Sequence, residues 1–278
     1  MAQANSHDEF ELGDKEFYFI ADFIRKHAGI ELSDAKRHLV YGRLVRRLRQ
    51  LGLGSFGDYC KLLRDDPEGE LEHCANALST NLTSFFREPH HFEYLASSIV
   101  PALRQRGPDV PVLCWSAGCS TGEEPYSIAM TLAETLPASY KVRILATDLD
   151  SNVVATGESG IYKDERITGI SEERRKRWFM RGKGAKSGMI RVRRELREMV
   201  TFRKLNLLDP WPMRNRFDFI FCRNVIIYFS KETQATLFSR FHELLRPSSV
   251  IFIGHSESLY KVTDQFQLIG QTIYRRVD

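Results

Sequence analysis

The chain has 278 residues, 42% hydrophobic and 11% aromatic, which suits one large domain or two unequal ones and excludes wholesale disorder. Its 40 Lys and Arg against 36 Asp and Glu leave only +4, a balance that by itself points to no partner. That average hides segregation. Residues 36–49 hold six cations (Lys36, Arg37, Arg43, Arg46, Arg47, Arg49) and no acid, and residues 166–204 hold fourteen cations against four acids. The body of the chain is therefore acidic, with two strongly basic stretches that suit an acidic partner. No window of about 18 uninterrupted apolar residues occurs, so no membrane insertion is expected. Residues 1–16 are polar and partly acidic, so no signal peptide is expected. The five cysteines (Cys60, Cys74, Cys114, Cys119, Cys222) are odd in number, widely spaced and without a CxxC. They read as reduced thiols of a cytoplasmic protein, with no metal site.

Residues 10–84 have helical periodicity. Phe17, Phe19, Ile20, Phe23 and Ile24 recur at three- and four-residue spacing until Ala28-Gly29. Ser33-Asp34 is expected to cap a helix over 35–51, with Val40, Leu44, Leu48 and Leu51 in one stripe and Lys36, Arg43, Arg46 and Arg47 on a neighbouring arc. Gly52 and Gly54 stop it. Two more helices are expected over 56–64 and 70–82. After residue 110 the period changes. Strands are predicted over 110–115, 141–146, 217–222 and 250–253, and helices over 122–136 and 231–245. This alternation argues for a parallel sheet covered on both faces. Residues 266–269 and 272–275, split by Gly270-Gln271, suggest a terminal hairpin. Within 188–204, Ile190 and Val192 alternate with Arg191 and Arg193, and Val200 and Phe202 alternate with Thr201 and Arg203. We expect a small antiparallel β unit there, inserted into the α/β domain and carrying the second basic cluster. The domains expected are a helical one over 1–84 and an α/β one over 85–278, with the insertion at 166–204.

Open α/β sheets bind ligands outside the carboxyl ends of their strands. The first strand ends in Ser116-Ala117-Gly118-Cys119-Ser120-Thr121-Gly122-Glu123-Glu124. Two glycines let the backbone approach a ligand, but the spacing is not GxGxxG and no Lys follows Gly122 as a P-loop requires. Glu123 and Glu124 oppose a pyrophosphate and suit a cationic amino group. An acid at the next strand end, Asp148, can accept hydrogen bonds from ribose hydroxyls. Together these suggest adenosine joined to an amino-acid head, a description that fits S-adenosylmethionine better than NAD. Arg223, Asn224 and Tyr228 follow a later strand, without the Asn-Pro-Pro-Tyr-like motif of nucleic-acid amino-methyltransferases. The adjacent His90 and His91 diverge by about 100° on a helix, so a shared role is not expected. His255 follows a buried strand and is within reach of the site. No G-x-S-x-G elbow supports a serine hydrolase.

The segments TNLTSFFRE, WSAGCSTGEEPYSIAM, FDFIFCRNVIIYF and GHSESL, in this order, resemble the CheR-type chemotaxis receptor methyltransferases. The resemblance runs from about residue 14 to the C-terminus. It implies a Rossmann-like S-adenosylmethionine-dependent methyltransferase sheet with a small inserted antiparallel β-subdomain, preceded by an all-helical domain. It further implies methylation of glutamate side chains on chemoreceptor cytoplasmic helices. By the same resemblance Asn81, Thr83, Arg87, Glu124, Asp148, Asn206, Leu207, Arg223 and Asn224 line the cofactor site, and Arg87 and Tyr228 lie near the transferred methyl. Lys36, Arg43, Arg46 and Arg47 would dock the acidic receptor bundle. The inserted β unit would hold a receptor C-terminal peptide, as in some members. The product would be S-adenosylhomocysteine, and a monomer is expected.

A glutamate carboxylate is ionised at neutral pH, so the reaction needs positioning and water exclusion more than a base. Arg87 and Tyr228 are accordingly read as positioning groups. Two alternatives stay open. One is an RNA or DNA methyltransferase, which the scarcity of aromatics among the cations of 36–49 (Tyr41 only) disfavours. The other is a non-catalytic, S-adenosylmethionine-sensing module that binds receptors.

Overall fold

In the computed structural model, residues 9–79 and 81–278 are described, so the first half of the polar leader (1–8) and Thr80 lie outside the described residues. Two units result, with the break at 80/81 rather than at the expected 84/85.

In the first unit, the apolar spacing read from the sequence becomes helix α1 (Asp14–Ala28), which buries Phe17, Ile20, Phe23 and Ile24. Gly29 ends it in the left-handed conformation, where glycine carries no Cβ penalty. Ser33 makes no side-chain cap. A 3₁₀ turn (Asp34–Lys36) instead leads into α2 (Arg37–Leu51), which buries Val40, Leu44, Val45 and Leu48. Helix α3 (Phe56–Asp65) begins on Ser55, whose hydroxyl accepts from the Asp58 N–H at 3.1 Å. Helix α4 (Pro67–Leu78) starts earlier than periodicity alone suggests. Asp66 caps it, and Pro67 occupies a first turn where no N–H is needed. It ends at Leu78, short of the expected 82, because Ser79 is extended.

The second unit opens with α5 (Pro89–Tyr94) and α6 (Val100–Arg106), joined by a π-helical turn. Then come β1 (Val112–Ala117), α7 (Glu123–Thr135), β2 (Val142–Asp148), α8 (Ser151–Ser159) and β3 (Ile161–Lys163). Next are α9 (Glu172–Trp178), β4 (Phe179–Arg181), β5 (Met189–Val192), α10 (Arg194–Arg197) and β6 (Val200–Lys204). The unit closes with β7 (Phe217–Cys222), α11 (Lys231–Leu244), β8 (Leu245–Ile253), β9 (Phe266–Gly270) and β10 (Ile273–Arg276).

Seven strands form one sheet in the order β6-β2-β1-β7-β8-β10-β9. The first five run parallel, while β10 is antiparallel to β8 and to β9, giving the terminal hairpin expected from Gly270-Gln271. Alternate residues face opposite layers. Cys114, Ile144, Phe219, Phe221 and Phe252 pack with Tyr126, Ile128 and Met130 of α7. Trp115, Ile220, Ile251 and Ile253 pack with Leu237, Phe238 and Phe241 of α11. With both faces covered, the strands read as continuous apolar runs. Strand β1 lies between β2 and β7, so the chain order reverses there and a crevice opens at the carboxyl ends.

The inserted β unit exists, but its pairing corrects our expectation. Strand β5 pairs with β3 and β4 in a three-stranded antiparallel sheet. Residues 200–204 do not belong to it. They form the parallel edge strand β6 of the main sheet, with Lys204 opposite Asp148. Alternation at Val200 and Phe202 reports a half-buried strand and says nothing about which partner it pairs with.

Candidate active site at the carboxyl ends of the strands

The chain leaves β1 through three left-handed residues, Gly118 (φ 83°), Ser120 (48°) and Gly122 (98°). A Cβ at Gly118 would fall 2.2 Å from the Val225 side chain, so glycine is required there by both space and φ. This curl aims the Ser120 N–H at Asp148 Oδ2 (2.8 Å), and the Asp150 N–H meets Oδ1 (3.0 Å). Each oxygen thus holds one donor and can accept another, which suits a pair of ribose hydroxyls. Burial pushes the Asp148 carboxyl up to about 6 against the pull of those N–H groups. Asn81 joins the same corner, donating to Asp150 Oδ2 (2.7 Å) and accepting from the Ser120 hydroxyl through its carbonyl (3.0 Å).

A second cluster centres on Arg223, directly after β7. Its side chain is 2% exposed, and its Nη2 donates to the Arg87 carbonyl at 2.5 Å. Its Nε stands 3.5 Å from Glu88 Oε2 and 3.6 Å from Glu124 Oε2. Its Nε and Nη1 have no hydrogen-bond partner within the protein. Glu124, in the first turn of α7, accepts from the Ser116 hydroxyl (2.7 Å). Burial raises its pKa, and the Arg223 charge opposes that rise. At Glu88 burial also acts upward, but Arg223 and the His255 hydrogen bonds outweigh it and the pKa falls. His255 makes those bonds to Glu88 Oε1 through Nδ1 (2.9 Å) and its N–H (3.2 Å).

Two sequence readings change here. Glu123 is buried against Arg166 and the Thr121 hydroxyl, so Glu124 alone remains of the pair read as facing a cationic ligand. His90 and His91 do converge: both Nε2 atoms reach the Gln271 carbonyl, at 3.2 and 3.3 Å. Burial, with Arg223 and His90 nearby, lowers the His91 pKa to about 3, so its ring stays neutral. Ligand atoms of Glu88, His90 and His91 lie within 4.8 Å of one another, yet the Arg223 guanidinium faces Glu88 Oε2 and would repel a metal ion.

The remaining predicted residues fall into three groups. Arg87 is half-buried and donates to the Leu82 carbonyl (2.8 Å), flanked by left-handed Phe86 (φ 54°) and Glu88 (φ 58°). Such non-glycine positions store about 1–3 kcal/mol each and concentrate at functional sites. Thr83 is half-buried in the same segment. Asn224 (φ 59°) and Tyr228 follow Arg223, Tyr228 closing a 3₁₀ turn (Ile226–Tyr228). Asn206 and Leu207 follow β6, next to the β2 end, where the Leu205 N–H meets the Asp148 carbonyl (2.9 Å). Asn206 Oδ1 accepts from the Leu208 N–H (3.1 Å). The Leu207 side chain belongs to the α11-side core, so a role beside a ligand falls to its main chain.

In the helical unit, Arg43 donates to the Leu78 and Ser79 carbonyls (2.8 and 2.6 Å) and so closes the end of α4. Arg47 pairs bidentately with Glu70 (2.9 and 2.7 Å), which is buried and also accepts from the Tyr59 hydroxyl (2.9 Å). Lys36 reaches the Glu31 carbonyl (3.0 Å), and Arg46 is exposed. Two of the four expected docking cations therefore also hold this unit together.

Sequence reasoning missed two acids, Glu88 and Glu257. Both lie inside motifs that were quoted for other residues. The signal available for Glu257 was an acid four residues beyond an apolar strand, with Gly254 between them.

The donor set fits a zwitterionic nucleoside. Asp148 offers two anchored acceptors for hydroxyls. Glu124 and Arg223, 3.6 Å apart, present opposite charges for an ammonium and a carboxylate. A reversed-order parallel sheet carrying these groups at its carboxyl edge defines a Rossmann-like S-adenosylmethionine-dependent methyltransferase.

Comparison with known proteins narrows the class. Residues 15–79 match the family described as "CheR methyltransferase, all-alpha domain", and residues 81–275 match "CheR methyltransferase, SAM binding domain". The chain is 46% identical over 270 residues to a chemotaxis protein methyltransferase of Escherichia coli, covering 96% of this chain and 92% of that one. It is 45% identical to chemotaxis protein methyltransferase 2 of Pseudomonas aeruginosa, covering 96% and 94%. It is 40% identical to a probable chemotaxis protein methyltransferase of Rhizobium etli, covering 91% and 96%. The chain belongs to the CheR methyltransferase family, and S-adenosylmethionine is its cofactor.

Proposed function

We propose that this enzyme transfers the methyl group of S-adenosylmethionine to glutamate side chains on chemoreceptor cytoplasmic helices, forming γ-glutamyl methyl esters. The observation that carries this reading is that the acids gathered at the site are already engaged. Glu88 is held by His255 and Arg223, Glu124 by Ser116, and Glu257 by main-chain N–H groups. None is posted as a base, and a carboxylate acceptor needs none, because it is ionised at neutral pH. The near-full-length likeness to chemotaxis protein methyltransferases supports the same substrate.

The cofactor supplies the electrophilic methyl when bound. Asn81, Thr83, Glu124, Asp148, Asn206, Arg223, Asn224 and the Leu207 main chain hold it. Arg87 and Tyr228 orient the acceptor carboxylate. Positioning of this kind contributes up to roughly 7–11 kcal/mol as effective molarity. Held too tightly, the carboxylate would be stabilised in the ground state as well, so Arg87 works best as a guide. The exposed face of α2 around Arg46 docks the acidic bundle, and the three-stranded β-subdomain takes a receptor C-terminal peptide as a tether. The enzyme acts as a cytoplasmic monomer and binds neither nucleic acid nor membrane directly.

The test is transfer of radiolabelled methyl from S-adenosylmethionine to receptor-enriched membranes. Label that mild base releases as methanol is expected. Base-stable label, label on RNA, or no transfer would overturn the reading.

A further inference from the structure

We propose that Glu257 is a positioning residue that sets the conformation of the 223–228 segment. The inference rests on the site assignments above for Asn224 and Tyr228. Glu257 is 5% exposed and points back from the loop after β8 toward the loop after β7. Its Oε2 accepts the N–H groups of Gly254 (2.5 Å) and Asn224 (2.9 Å), and its Oε1 accepts that of Ile227 (3.3 Å). One side chain thus ties together two strand ends and both sides of the turn between Asn224 and Tyr228. A carboxylate offers only acceptors, which is the complement that three inward main-chain N–H groups require.

The segment it holds is not a relaxed one. Asn224 is left-handed at φ 59°, a conformation that surrounding contacts must impose on a non-glycine residue. Gly254 presses on it from the other side: a Cβ there would lie 2.3 Å from Asn224 Nδ2 and 2.8 Å from its backbone nitrogen. Asn224 is therefore clamped between an acceptor and a bare backbone. Arg223 precedes it, and Tyr228 closes the turn whose Ile227 N–H Glu257 holds. Glu257 acts on the reaction only through these neighbours.

The experiment compares full-length Glu257→Gln, Glu257→Asp and Gly254→Ala with the parent, alongside Asn224→Ala and Tyr228→Phe. Readouts are S-adenosylhomocysteine affinity and stoichiometry by calorimetry, and kcat and KM for receptor methylation per binding-competent molecule. In Glu257→Gln an amide NH2 faces at least one N–H donor. We expect cofactor affinity to fall about 10-fold and kcat per competent molecule to fall at least 10-fold, with partial recovery in Glu257→Asp. Gly254→Ala is expected to give the same pattern through Asn224, and it keeps the test informative if a Glu257 variant does not fold. Reduced stoichiometry with unchanged affinity and kcat would mean that Glu257 only supports folding, and would overturn the proposal. Silent Asn224→Ala and Tyr228→Phe variants would overturn the site assignment, and the proposal with it. Active-site effects in those two variants, with Glu257→Gln and Gly254→Ala silent, would overturn the proposal alone.

Discussion

Strand β7 carries a buried charge cluster at each end, and the two are built differently. At its start, the Asp218 carboxylate is closed out by short contacts. Arg106 pairs with it, the Leu113 N–H donates at 2.8 Å, and Arg246 Nε lies at 3.0 Å. At its end, Arg223 faces Glu88 and Glu124 at 3.5 and 3.6 Å, with two nitrogens lacking a hydrogen-bond partner. The first cluster is complete within the protein and fastens α6, β1 and β8 to the strand. The second leaves hydrogen-bonding capacity in a low-dielectric crevice at the reversal point of the sheet. The difference teaches how to separate scaffold from site among buried ions. Tight, saturated carboxylates hold elements together, while loosely paired groups beside strained loops await a ligand.

The sharpest way to break that contrast is Asp218→Ala. It leaves two arginines facing an empty corner, and stability should drop by about 3 kcal/mol in urea unfolding. The folded fraction should bind S-adenosylhomocysteine within about 2-fold of the parent. A large loss of affinity would erase the distinction between the two ends. Asp148→Ala should do the opposite. Removing two charge-assisted acceptors weakens S-adenosylhomocysteine binding by about 3 kcal/mol, roughly 100-fold, with little loss of stability. Unchanged affinity by calorimetry would contradict the ribose assignment.

A smaller effect follows from the Asp148 carboxyl, whose pKa burial raises to about 6. Above that pH it is ionised and both oxygens accept. Below it, a proton occupies one of them. S-adenosylhomocysteine affinity should therefore rise roughly 3- to 10-fold between about pH 5 and pH 7.5. Unliganded stability should move the other way through this group. A folded pKa above the unfolded value means its contribution is lost as pH rises from about 4 through 6. Asp148→Asn should flatten the binding profile, and a profile that persists in this variant would assign the titration elsewhere. Smallest of all, Arg46→Ala should raise the receptor KM about 2- to 5-fold at low salt, an effect below 1 kcal/mol that screening removes. Cofactor affinity should not change, and a salt-independent KM would remove Arg46 from the docking surface.

Much of the site was legible in the sequence because it is written locally. Glycines at 118 and 122, an acid where an apolar strand stops, and a polar run after Phe221-Cys222 are all short-range signals. Their convergence follows from the rule that parallel strands end on one edge. Helix boundaries that depend on capping were less legible. Ser33 failed as a cap while Asp66 succeeded, because a cap needs an extended backbone and a side chain turned onto the N–H groups two or three residues on.

The sequence by itself determined the two-unit organisation, the order of strands and helices, the faces they bury, and the residue types at the strand ends. These follow from periodicity, glycine placement and charge clustering, which act over a few residues. Only the tertiary structure decided three other matters. It paired residues 200–204 with β2 instead of β5. It committed Arg43 and Arg47 to α4, and Glu123 to Arg166, before any ligand could claim them. It turned Glu88 and Glu257 inward to hold the loops that carry Arg87, Arg223 and Asn224. Each of these joins residues 20 or more positions apart, and which of several chemically equal partners is met depends on how the chain closes.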